Sequence, residues 1–398
     1  MEKHLLFYLW IVIQVLIGFH LIFPVILYAF YKITNKKTFS ENSKSEAEYA
    51  IIVTAYEQTQ SLYAVVDSLL NLKYTNYLIY IVADKCDISN LYFASDRVIV
   101  LRPPQTLGSN TRSHFYAINN FKRTHERLTI IDSDNLVEPN YLTALNKCFN
   151  NGFSAVQGIR RAKNLDTTFA CLDAARDIYY HSYDGRLLFG AGASATLAGS
   201  GMAFSTKLYI DCLQHLDITG AGFDKVLQAE IVKRGYRIAF TEEAVVYDEK
   251  TSQSNQLVKQ RARWINTWFR YFGFGFTIIL KGIKKFNWNQ FLFGLVLLRP
   301  PLFIFLIFSF SCLMADVWIN EIMVLCWLAG FACFIAGFMI ALIHSKPDRR
   351  IYASLISIPR FMLLQVASML KARKANTFSV ATTHMHNKTI EELKEDSI

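Results

Sequence analysis

Residues 5–31 form an almost unbroken apolar run, long enough to cross a bilayer as one helix. No small-residue cleavage site accompanies it, so it reads as a retained anchor and not a signal peptide. Residues 38–48 are polar and rich in Ser, Glu and Lys, as in a linker. From Tyr49 the pattern changes. Short apolar runs over 50–54, 78–83, 97–101 and 128–131 predict buried strands, and the amphipathic stretches 62–72 and 112–121 predict helices between them. Strands alternating with helices predict an α/β fold, a mostly parallel sheet covered on both faces.

Beyond Gln260 the chain turns aromatic and basic. Residues 264–286 mix Trp, Phe and Tyr with Arg270, Lys281, Lys284 and Lys285, which predicts a helix at a membrane interface. Further spans are predicted over 291–313 and 322–343. Residues 352–370 are apolar but carry Pro359 and Arg360, so they read as an interfacial or re-entrant helix, with a fourth span as the alternative. Three spans place the amino terminus outside and the carboxyl terminus inside. Lys32, Lys36 and Lys37 after the first run, and Lys346, Arg349 and Arg350 after the third, put the middle of the chain in the cytoplasm. Arg299-Pro300-Pro301 falls within the second predicted span. Its charge either lines a path for a polar product or phosphate, or snorkels to the interface beside a kink.

Composition agrees with a membrane protein. Of 398 residues, 52% are hydrophobic and 31 are Phe, too apolar for an ordinary soluble enzyme. The net charge of +10 lies beside the apolar runs, which suits anionic lipid. No recognition motif accompanies it, so the lipid bilayer is the expected partner and nucleic acid is not. The seven Cys are odd in number and scattered without a C-x-x-C pair, as expected of reduced thiols. The nine His show no metal spacing, and His384-Met385-His386 reads as part of a solvated tail.

The most telling chemistry is Asp132-Ser133-Asp134, at the end of the run 128–131. Two carboxylates two residues apart at a strand's end make a compact oxygen site. Mg²⁺ is held in this way, through one or two carboxylates plus substrate phosphates. Ligands in open α/β sheets sit outside the carboxyl ends of strands. Alone, the triplet also fits a solvated turn. Other signals align with it in order: Val53-Thr54-Ala55-Tyr56-Glu57, then Val82-Ala83-Asp84-Lys85-Cys86-Asp87, then Gly199-Ser200-Gly201 and Gly222-Phe223-Asp224. Gly235 follows Asp224 by eleven residues, and Gln260-Arg261-Ala262-Arg263-Trp264 closes the series as a Q-x-x-R-W motif.

This order and spacing, over residues 50–268, resembles the family 2 inverting glycosyltransferases, in particular the membrane-bound branch of cellulose, hyaluronan and chitin-oligosaccharide synthases. The resemblance implies a GT-A type, Rossmann-like nucleotide-sugar domain with terminal transmembrane and interfacial helices. It implies that Tyr56, Glu57 and Asp84 hold the nucleotide. Asp132, Ser133 and Asp134 would meet the diphosphate and ribose, with Asp134 and Asp132 on a Mg²⁺ or Mn²⁺ cofactor. Gln260 and Arg263 would meet the diphosphate, and Trp264 the acceptor sugar. Gly201 would also approach the acceptor. Asp224 would be the catalytic base that takes the acceptor hydroxyl's proton. Many relatives have Glu-Asp or Thr-Glu-Asp where this chain has Gly222-Phe223-Asp224, which removes a neighbouring carboxylate.

The implied organisation is a transmembrane helix over 1–33, a linker over 34–48, a cytoplasmic transferase domain over 49–268 and an interfacial helix over 269–288. Two transmembrane helices follow within 289–345, an interfacial or re-entrant helix over 346–371 and a cytoplasmic tail over 372–398. The expected activity is transfer from a UDP-sugar donor to a growing cell-surface glycan, at the inner or plasma membrane. Q-x-x-R-W favours a processive synthase. Few spans favour single addition to a lipid-linked or oligosaccharide acceptor, or a homo-oligomer or export partner that completes a channel. The rival from another class is a non-catalytic, glycan-binding scaffold.

Overall fold

The computed structural model describes residues 2–34, 46–372 and 388–395. Lys36, Lys37, His384-Met385-His386, most of the 34–48 linker and most of the 372–398 tail lie outside them. Among the described residues, eight strands form one mixed sheet in the order β3-β2-β1-β4-β7-β6-β8-β5. They are β1 Tyr49–Tyr56, β2 Tyr77–Asp84, β3 Val98–Leu101, β4 Arg127–Asp132, β5 Leu136–Val137, β6 Ala155–Ala162, β7 Met202–Ser205 and β8 Ile238–Asp248. β1 to β4 pair in parallel, as do β6 and β8, whereas β7 runs antiparallel to both its neighbours. The expected mostly parallel α/β sheet is present.

Alternation along β1 builds the two faces. Ala50 and Ile52 enter one core, and Tyr49, Ile51, Val53 and Ala55 enter the other. A central strand buried on both sides needs this continuous apolar run. One face is covered by helices Leu62–Leu70 and Tyr141–Asn150. The other is covered by helices Thr206–Leu213 and Phe223–Lys233, and its core continues into Phe23 and Leu27 of the N-terminal helix Glu2–Thr34. The apolar N-terminal helix therefore packs directly on the core of the sheet domain.

Four helical stretches are long and apolar enough to cross a membrane: Leu5–Ile33, Leu302–Ile319, Glu321–Ser345 and Arg349–Lys371. The run 291–313 is not one helix. Helix Trp288–Leu298 ends at Arg299, and a new helix starts at Leu302. Pro300 and Pro301 offer no N–H to continue the ladder, which breaks the run there. Residues 274–284 form their own helix, Phe274–Lys284, folded back on Trp288–Leu298. In the 352–370 region a short 3-10 turn, Leu355–Ser357, interrupts the helical stretch, and the helix Ile358–Lys371 packs along Ser254–Tyr271. Asp316 ties the long helices together. Its carboxylate accepts from Trp10 Nε1 at 3.1 Å, Gln14 Nε2 at 3.1 Å and Trp327 Nε1 at 3.0 Å. A buried carboxylate among apolar helices is tolerated only when so satisfied.

Candidate active site

The chain leaves β1 for β2 and β3 on one side, then returns to place β4 on the other. Strand order thus reverses between β1 and β4, which opens a crevice at their carboxyl ends. Register puts Thr54 of β1 directly beside Asp132 of β4. Tyr56 lies two residues further along β1. At this point a cavity of about 880 Å³ opens, and its wall includes Tyr56, Asp132, Ser133, Asp134, Asp224, Gln260, Arg263 and Trp264. Residues from four separate segments are brought together there.

The carboxylate triplet is held by Ser200, whose only sign in the sequence is its place in Gly199-Ser200-Gly201. Ser200 is fully buried, and its Oγ accepts from Asp132 N at 3.1 Å and from Asn135 Nδ2 at 2.8 Å. Gln157 fixes the loop that carries Ser200, donating to Ser200 O at 3.1 Å and accepting from Ala198 N at 2.9 Å. Gly201, at φ +68°, bonds through its N–H to Ile130 O in β4. It supports the triplet's strand and is not part of the cavity wall, whereas Gly199 is. The pattern Gly-Ser-Gly could have indicated a clamp, because a buried serine between two flexible residues can bond two partners at once.

Asp224 stands in the first turn of helix Phe223–Lys233, where helix N-terminal polarity favours a carboxylate. The N-cap is Gly222 and not Asp224. Gly222 has φ +104°, and a Cβ there would sit 2.5 Å from Thr267 Cγ2 and 2.8 Å from Tyr271 Cε2. Only glycine fits there without strain. Phe223 is buried against His114, with ring centroids 5.1 Å apart. Lys225 Nζ lies 3.1 Å from Asp224 Oδ2. Burial raises the Tyr271 phenol above its ordinary pKa, and the nearby Asp224 carboxylate adds to the rise.

Other expected residues lie elsewhere. Asp84 is buried and accepts from Leu107 N at 2.9 Å and Gly108 N at 2.8 Å, so it shapes a loop and does not cap a helix. Glu57, at φ +61°, pairs with Lys85 at 2.7 Å on the surface. Neither belongs to the cavity wall. Gln260 Oε1 accepts from Thr251 Oγ1 at 3.2 Å. Burial lowers the Arg263 guanidinium from its ordinary pKa. The Trp264 ring already carries two guanidiniums, Arg261 at 4.1 Å and Arg176 at 4.4 Å from its centroid.

A further cluster was unreadable in the sequence. Asp173, Arg176 and Asp177 share one face of helix Thr168–Tyr180, and with Arg160, Asp248, Lys250 and Arg261 they line the cavity. Lys250 Nζ lies 2.5 Å from Asp177 and 2.7 Å from Asp248, and Arg160 reaches the same two carboxylates at 3.7 and 3.4 Å. Arg261, inside Q-x-x-R-W, pairs with Asp173. Burial alone would raise the Asp177 carboxyl, but Lys250, Arg176 and Arg160 outweigh it and hold it well below the usual range. Asp173, Arg176 and Asp177, three and four residues apart, stand on one face of their helix, but their partners come from distant segments.

Asp132 and Asp134 suit a divalent cation whose remaining ligands come from a diphosphate. Among the described residues no group of three or more His, Cys, Asp or Glu forms an all-protein metal cage. Two carboxylates on an open wall are what a substrate-completed Mg²⁺ or Mn²⁺ site needs.

The fold is similar to that of a mannosyltransferase, PcManGT from Pyrobaculum calidifontis, solved in complex with GDP-Man and Mn²⁺. The two share 14% identity at a TM-score of 0.58, over 91% of this chain and 97% of that one. Two structures of S. aureus TarS 1-349, one in complex with UDP-GlcNAc, align over 82% of this chain and 90% of theirs. Their TM-scores are 0.41, at 14% and 13% identity. No curated protein sequence matches the chain. The profile described as glycosyltransferase like family 2 does match, over residues 47–267. That stretch contains the whole sheet and every motif at its carboxyl edge, and by it the chain belongs to the family 2-like glycosyltransferases.

Proposed function

We propose that the protein is a membrane-bound inverting transferase of the polysaccharide-synthase-like branch, which moves a sugar from an α-linked nucleotide donor, UDP-linked by preference, onto a glycan hydroxyl to form a β-bond. The observation that carries this is the meeting of Tyr56, Asp132, Asp134, Asp224, Gln260 and Arg263 on one cavity wall at the strand-order switch.

Tyr56 offers the nucleotide a ring face. Asp132 and Asp134 would hold a divalent cation, which when bound neutralises the diphosphate leaving group. Arg263 adds a guanidinium whose planar fork matches phosphate oxygens. Asp224 accepts the acceptor proton as the hydroxyl attacks the anomeric carbon from the face opposite the diphosphate. The sugar–phosphate bond breaks, and its electron pair leaves with the nucleotide. Lys225, 3.1 Å from Asp224 Oδ2, would orient the carboxylate before attack. The GDP-Man and Mn²⁺ held by the fold neighbour accord with this reading. The apolar helices and basic flanks support an integral membrane protein at the inner or plasma membrane, with the catalytic domain in the cytoplasm.

The test is a donor screen by nucleotide release on the reconstituted full chain, with and without EDTA. Release from one donor, lost with EDTA and restored by Mg²⁺ or Mn²⁺, is the expected result. Absence of donor binding and turnover across UDP- and GDP-sugars would leave the non-catalytic scaffold as the better reading.

A further inference from the structure

The cavity does not end at the charged residues. Its wall continues past Arg299 onto three apolar helices, through Phe303 and Leu306, Ile335 and Phe338, and Ile358 and Phe361. From Pro300 onward the described lining contains no Asp, Glu, Lys or Arg. Two of these residues face both the cavity and the outside: Ile335 is 60% exposed and Ile358 is 37% exposed. They stand on helices that satisfy the length and hydropathy of membrane spans. The cavity therefore has an apolar rim between helices Glu321–Ser345 and Ile358–Lys371, where bilayer hydrocarbon would meet it. Arg299 separates the two kinds of wall. It is buried, its Nη2 donates to Asp184 at 2.7 Å, and its Nη1 has no hydrogen-bond partner among the described residues. It neither snorkels nor stands alone, and its guanidinium also lies over the Tyr183 and Tyr180 rings, 4.5 and 5.1 Å from their centroids.

We propose that the acceptor is a lipid-linked sugar that enters sideways through this rim. Its long alkyl or isoprenoid chain lies along Leu306, Ile335 and Phe338. Its polar junction meets Arg299, and its sugar hydroxyl reaches Asp224. The proposal rests on the transferase reading and narrows its acceptor. A bare polysaccharide fits the helix-built wall poorly, because its hydroxyls would lose water without gaining partners. A hydrocarbon chain entering from the bilayer exchanges one apolar surrounding for another and leaves no polar group unpaired.

The full chain in nanodiscs, supplied with its donor, tests this with glycosides of one head group that differ only in alkyl length, beside the free sugar. KM should fall at least about tenfold from butyl to hexadecyl with kcat unchanged. Ile335→Gln and Leu306→Gln should raise KM for the hexadecyl glycoside while leaving the butyl glycoside and donor binding as they were. A KM independent of chain length, or variants that change both glycosides equally, overturns the proposal. In either case nucleotide release that Asp224→Asn abolishes would still uphold the transferase reading. Loss of donor binding altogether would sink both.

Discussion

Asp177 and Asp224 line the same cavity, but their surroundings differ in how many cations hold them. Asp177 is buried and touches Lys250, Arg176 and Arg160. Among the described residues Asp224 has one ion pair, with a Lys225 side chain that is itself 37% exposed. A carboxylate clamped by three cations cannot readily take a proton or turn toward a substrate. One with a single, partly solvated partner can do both. The comparison separates the part of the wall that sets the architecture from the part fitted for proton transfer.

The largest expected effect lies on the Asp224 side. Asp224→Asn keeps the shape and removes the base, so turnover should drop roughly 10³-fold with donor affinity unchanged, measured by nucleotide release and calorimetry. Asp177→Ala should act on folding instead. It leaves Lys250 with Asp248 and Arg176 with Asp173 in a buried cluster one anion short, a loss of about 3–5 kcal/mol, visible as a lower melting temperature. If the two variants exchanged their effects, the division of labour would be wrong. Gly222→Ala tests the turn that presents Asp224. Positive φ and a Cβ 2.5 Å from Thr267 should cost about 2–3 kcal/mol and lower activity as well as stability.

A further effect comes from pH. Burial drives His114 and His181 down to about 3, against about 6.5 in the unfolded chain. Between these values the unfolded state binds more protons. Their contribution is complete above about pH 6.5 and is lost as pH falls, by about 1.4 kcal/mol per pH unit for each. A melting temperature that stays level from pH 7 to 5 would contradict this. Smallest, Ser200→Ala should remove two hydrogen bonds behind the triplet. It should weaken donor binding by about 1 kcal/mol, measured by titration with the donor, and the two donors left unpaired should lower stability by a similar amount.

Much of the sheet was legible in the sequence because β1, β2 and β4 are buried on both faces and so read as plain apolar runs. The ends of those runs marked Tyr56 and Asp132. Other features were hidden for physical reasons. The break at Arg299-Pro300-Pro301 sits inside one hydropathy peak, and hydropathy does not register a missing backbone donor. The ion cluster joins β6, β8 and two helices more than eighty residues apart, so no local motif could show it. Ser200 matters through what it clasps, which only the fold reveals. Trp264 was read as a bare ring face for a sugar. Its neighbours Arg176 and Arg261 come from two helices that only packing brings together.

The stereochemistry of transfer tests the central claim most directly. With an α-linked donor and the accepted glycoside, the anomeric configuration of the new bond is read by proton NMR. Attack through Asp224 from the face opposite the diphosphate predicts a β-bond in every product molecule. An α-bond would contradict the account, because it requires either a covalent sugar–enzyme step or attack from the leaving-group side.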